Sequence, residues 1–134
     1  MKRELRISGA HWREMMQYVR RHAPLEACGL LAGRADGVEK VIFVRNRAQS
    51  PTRFVMDPHE QIKAFRWIES NGLELLGIFH SHPAGPADAS PTDIAEAAYE
   101  VVHIIWSQAS GHWQARGFWI ESGHASEVSL QITE

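Results

Sequence analysis

Apolar residues recur along the chain in two rhythms. Trp12, Met15, Met16 and Val19 fall at three- and four-residue intervals, the spacing of one helical face. Ser8 before them can cap a helix that runs to about His22, and Pro24 stops it. "EACGLLAG" then reads as a buried strand, and "KVIFVRN" and "RFVMD" as two more, separated by polar residues and Pro51. Asp57, Pro58 and Glu60 carry the start signals of a second helix, which Gly72 ends. "LELLGIFHSH" is too continuously apolar for a strand with one wet face. "SPTD" opens a short third helix, and "VVHIIW", "WQARGFWI" and "EVSLQI" close the series as strands. A β-rich order with three interspersed helices predicts an α/β or α+β domain built on a mixed sheet.

Composition narrows this picture. The 134 residues contain no repeat, low-complexity tract or linker, so residues 1–134 are expected to form one domain. A net charge of −2 without a local basic stripe gives no reason to expect nucleic acid. "MKRELRISGAHW" lacks the apolar run of a secretory signal, and nowhere do 18 uncharged apolar residues follow one another. The expectation is a soluble cytoplasmic protein without a membrane partner. Cys28 is the only cysteine, which excludes an intramolecular disulfide and any Cys-rich zinc site. A metal would have to be held by histidines and carboxylates.

Such a set stands at the end of the fourth predicted strand. Residues two apart on a strand share a face, so His80 and His82 point together and Ser81 points away. Two imidazoles with Cα atoms about 6.6 Å apart, at ~3.3 Å rise per residue, can converge on one ion. Pro83 ends the strand, "PAGPADA" can turn the chain back, and "SPTD" then places Asp93 in the first turn of a helix near the strand end. Two histidines and one aspartate leave a fourth tetrahedral position open, as catalytic zinc sites do. Ser-x-x-Asp is equally a capping-box variant, with Ser90 and Asp93 bonding each other's backbone N–H. Asp88, in the middle of the loop, is the rival carboxylate. His103 in "VVHII" reads as a core or edge-strand histidine, and Cys28, two residues after Glu26, as structural.

The run H-S-H-P, six residues, then S-x-x-D resembles the signature of the JAMM/MPN+ metallopeptidases, without gap or substitution. "PLEACGLLAG" is similar to the family's upstream glutamate segment, with Glu26 at the matching position, and "FVMDPHEQIKAFRWIESNGLELLGIFHSHP" is similar to its short stand-alone prokaryotic members. The resemblance implies a single MPN domain, a cytidine-deaminase-like mixed β-sheet flanked by helices. It implies one Zn²⁺ per chain on His80, His82 and Asp93, Glu26 as the proton shuttle, and Ser90 as a donor to the oxyanion. Peptide hydrolysis asks independently for such a shuttle, because a proton must leave the attacking water and reach the leaving amine.

The implied activity is that of a zinc-dependent peptidase or isopeptidase acting on the C-terminal tail of a ubiquitin-like or sulfur-carrier protein. Two alternatives stand beside it: a non-catalytic scaffold or binding module on the same fold, and a relative working in DNA metabolism. The filled ligand positions weigh against the first and the absent basic excess against the second.

Overall fold

The computed structural model describes residues 4–134. Ten elements follow one another: β1 (Glu4–Ser8), α1 (Gly9–His22), β2 (Cys28–Arg34), β3 (Gly37–Val44), α2 (Pro58–Ser70), β4 (Glu74–His82), α3 (Pro91–Ala95), β5 (Val102–Ala109), β6 (His112–Glu121) and β7 (His124–Thr133). The strands are ordered β1-β3-β2-β4-β5-β6-β7, and the sheet closes on itself as a barrel. The expected mixed sheet is present, with β4 parallel to β5 and β2 antiparallel to both of its neighbours.

Two expectations need correcting. β1 has no counterpart in the sequence reading, although Leu5 and Ile7 are buried between less buried Glu4 and Arg6, the period-two signal of a strand. It closes the barrel by pairing in parallel with β7 over five residues and with β3 at Arg6↔Gly37. "RFVMD" is not a strand: only Met56 makes a bridge, to Asn46. Two backbone bonds remain, Arg47 N to Val55 O and Asp57 N to Arg45 O, and one side chain adds the rest. Asn46 Oδ1 accepts from the Ala48 and Val55 N–H groups, and its Nδ2 donates to the carbonyls of Arg53 and Glu26.

The helices begin where their caps predict. Ser8 Oγ accepts from His11 N, and Asp57 accepts from the N–H groups of His59 and Glu60. Glu60 does not reach back to Asp57; its carboxylate accepts from Arg45 N at 2.8 Å and ties the start of α2 to the end of β3. Alternation along β2 and β4 sorts the core into two layers. Leu31 and Phe79 pack with Met15 and Val19 of α1, while Cys28, Leu30 and Ile78 pack with Ala64 of α2. Each fully buried apolar side chain of this kind contributes roughly 1.5–3 kcal/mol. Phe79 and Leu31 thus fix the facing of β4, and His80 emerges on the α2 side.

Candidate metal centre

Register builds the centre. β2 and β4 pair antiparallel with Cys28 opposite His80, and continuing that register by two residues sets Glu26 opposite His82. The extension is held by Ser81, whose N–H donates to the Ala27 carbonyl at 3.0 Å and whose Oγ accepts from Ala27 N at 2.9 Å. Glu26 is itself anchored, its N–H donating to Ser50 O at 2.8 Å and its carbonyl accepting from Asn46 Nδ2 at 3.0 Å. The side chains of Glu26 and the two histidines offer atoms that all lie within 4.8 Å of one another.

Asp93 approaches from α3. Its Oδ1 lies 3.2 Å from His80 Nε2 and its Oδ2 3.1 Å from His82 Nε2, and the two imidazole nitrogens are 3.0 Å apart. The capping box is also complete: Asp93 N donates to Ser90 Oγ at 3.0 Å and Ser90 N donates to Asp93 Oδ2 at 2.9 Å. One carboxylate therefore starts the helix and faces the histidines, so the cap and the site are not alternatives. Asp88 is placed elsewhere, ion-paired with Arg116 on β6.

Burial shapes the charges. Glu26 is 4% exposed. Burial pushes its carboxyl up to about 7, against the pull of His82 and with the help of Asp93. Burial likewise holds His80 below the ordinary imidazole range, although Asp93 opposes it. For His82 burial acts the same way but is outweighed by the bonds to Asp93 and to Pro86 O, so its pKa is raised. Burial would raise Asp93, yet the bonds from His80, His82 and Ser90 N hold it well below the usual carboxylate range.

The donor set fits a metal ion. Pro86 O can only accept, so the 2.9 Å contact makes His82 Nδ1 the donor and turns its Nε2 toward the site. His80 Nε2 points to the same place, and burial disfavours the charged form of its ring. Imidazole nitrogens and carboxylate oxygens converging within hydrogen-bond distance of each other are the ligands zinc takes. Phe54 stacks on the His80 ring at 4.4 Å between centroids, and with Met56, Ile78, Tyr99 and His103 it lines a cavity of about 220 Å³ beside His80 and Asp93.

Phe54 and Asn46 escape sequence reasoning. Both lie in an irregular segment, where no period marks which side chains turn inward. Cys28 is buried, donates to Val44 O, and is pushed up to about 12 by burial, the state of an inert thiol. His103 is buried in β5 between β4 and β6. Among the described residues no helix is long and apolar enough to cross a membrane.

A histidine pair at a strand end, faced by one carboxylate from the segment leading into the neighbouring strand and one from the following helix, is the architecture of a JAMM-type peptidase. Comparison with known proteins agrees. The family model "Prokaryotic homologs of the JAB domain" matches residues 8–120. A probable TtuB-protein conjugate cleaving protease of Thermus thermophilus is 42% identical over 120 residues, covering 89% of this chain and 76% of that protein. A desampylase of Pyrococcus furiosus is 40% identical over 111 residues, covering 81% and 76%. The crystal structure of a JAB1/MPN domain protein from Archaeoglobus fulgidus superposes with a TM-score of 0.62 at 23% identity, over all of both chains, and shares the fold. The chain belongs to the prokaryotic JAB-domain family, as the JAMM/MPN+ signature implies, and it is a peptidase.

Proposed function

We propose that the protein is a zinc-dependent peptidase or isopeptidase that hydrolyses an amide at the C-terminal tail of a ubiquitin-like or sulfur-carrier protein in the cytoplasm. His80, His82 and Asp93 would hold one zinc ion, with Glu26 and Ser90 as the catalytic side chains. The observation that carries this reading is the placement of a buried carboxyl, raised to about 7, opposite a histidine pair that already shares Asp93.

Zinc would supply Lewis-acid polarisation at such a site and would bring the pKa of a water down to about 7. Glu26 as carboxylate takes the proton from the attacking water and as acid gives it to the leaving amine. A pKa near the working pH suits a group that must do both. Ser90 Oγ accepts from Asp93 N and keeps its own hydrogen to donate to the negative oxygen developing on the scissile carbonyl. Phe54, stacked on His80, keeps water from one side of that ring.

The substrate reading rests on the relatives. One is named for cleaving TtuB–protein conjugates and another as a desampylase. An extended tail of small residues lets its backbone approach a centre seated in the fold. Carriers extended beyond a terminal Gly-Gly by one or a few residues, or joined to a lysine side chain, would be incubated with zinc-loaded protein and weighed by mass spectrometry. Loss of the extension, abolished by a chelator, is expected. Hydrolysis of generic peptides with every carrier left intact overturns the tail assignment.

A further inference from the structure

We propose that Arg116, which lies outside the signature motif, is a positioning residue for the metal centre, clamping the 83–89 loop so that Pro86 O holds the His82 ring. The register places it two strands from the site: His80 pairs with Ile105 of β5, and Ile105 with Arg116 of β6. Its guanidinium uses all three nitrogens. Nε and Nη2 bind Glu127 of β7 at 3.0 and 2.8 Å, while Nη1 binds Asp88 in the loop. The group lies over the Phe118 ring, 5.2 Å from its centroid. A planar fork gripped on one edge by a carboxylate has a fixed direction. Asp88, although its side chain is exposed, is therefore tied to the sheet.

The loop between His82 and α3 has few other hydrogen bonds, although Ala87 is buried and Ala89 packs against Ile105, Phe118 and Ile120. Gln108 Nε2 donates to Pro83 O at 3.2 Å and Gly85 N to His82 O at 3.2 Å, both at its beginning. Pro86 lies between these ties and Asp88, and its carbonyl is the acceptor for His82 Nδ1. That bond selects the tautomer whose Nε2 lone pair faces the site, and partners of this kind tune metal affinity by 10–100-fold. An exposed ion pair contributes only about 0–1 kcal/mol to stability. A merely structural Arg116 would thus shift the melting temperature slightly and leave zinc affinity alone.

The inference rests on His82 being a zinc ligand, so parent, Arg116→Gln, Asp88→Asn and His82→Ala proteins are compared. Zinc dissociation constants are measured by chelator competition, melting temperatures on the metal-free forms, and the His82 Nδ1–H signal by NMR of the ¹⁵N-labelled ring. Arg116→Gln and Asp88→Asn are each expected to weaken zinc about 10-fold, the lower end of the range for such partners. Their metal-free melting temperatures should stay within a few degrees of the parent, and the Nδ1–H signal should exchange faster. Asp88→Asn leaves the Arg116–Glu127 pair intact and decides the matter if Arg116→Gln does not fold. Zinc affinities within twofold of the parent, or an affinity loss matched by collapse of the metal-free fold in both variants, overturn the inference. A parent that binds zinc no better than His82→Ala overturns the ligand assignment as well.

Discussion

Ser81 Oγ accepts the Ala27 N–H at 2.9 Å, deep in the fold and on the far side of β4 from the two histidines. The residue between the histidines is thus a clasp that sets where Glu26 stands. Ser81→Ala strands a buried N–H and should cost about 1–3 kcal/mol of stability, read from urea denaturation. Turnover should fall further than zinc content, because the bond lies next to Glu26. Ser81→Thr keeps the hydroxyl and should recover most of both. Equal stability in Ser81→Ala would remove the clasp.

Glu26→Gln separates binding from chemistry. The amide keeps size and hydrogen bonding but cannot shuttle a proton, so turnover should drop roughly 10²-fold or more. Zinc content, by atomic absorption, should remain near one per chain. Loss of the metal would instead make Glu26 a ligand, a role its distance from the histidines permits.

Metal occupancy should register as stability. A ligand that binds only the folded state adds about 2.7 kcal/mol at a hundredfold excess over its dissociation constant. For a chain of this length that is on the order of 10 °C in melting temperature. The shift should vanish in His80→Ala and His82→Ala. It should also weaken in acid, because His82 must give up a proton that Asp93 and Pro86 O help it keep. A scan insensitive to zinc would refute the assigned site.

His103 should add acid sensitivity in a defined window. Burial pulls its pKa from 6.5 to about 4, only partly offset by the bond to Tyr99 O. Between those values the unfolded chain binds the proton on this group and the folded one does not, so the contribution of His103 to stability falls as pH drops from about 6.5 to 4. His103→Gln should flatten this stretch of the stability curve, measured by denaturation at half-unit pH steps. An unchanged slope would assign the acid sensitivity to other groups.

The two helical faces, most strands and the His–Asp set are legible in the sequence because each is a matter of spacing. Ser8 and Asp57 announce their helices through local bonds, and His80 and His82 through a two-residue period. What stays hidden depends on partners distant in the chain. Leu5 and Ile7 alternate over only five residues, and their role in closing the barrel comes from β7, more than 120 residues on. "RFVMD" has strand composition, yet Asn46 captures its backbone. The two readings of "SPTD" describe one arrangement, since Asp93 offers separate oxygens to the two histidines while one of them also accepts from Ser90 N.

That double use of Asp93 ties α3 to whatever the centre holds. A five-residue helix is far below the length at which helices persist in water, so α3 depends on its cap and on what lies beneath it. Drawing the carboxylate toward an ion stiffens the same turn that presents Ser90, and releasing it lets that turn fray. Filling and emptying of the centre should therefore be audible in the backbone: the amides of Asp93 and Ile94, which bond back to Ser90, should exchange with deuterated solvent more slowly when zinc is present. The helix becomes a gauge of its own cargo.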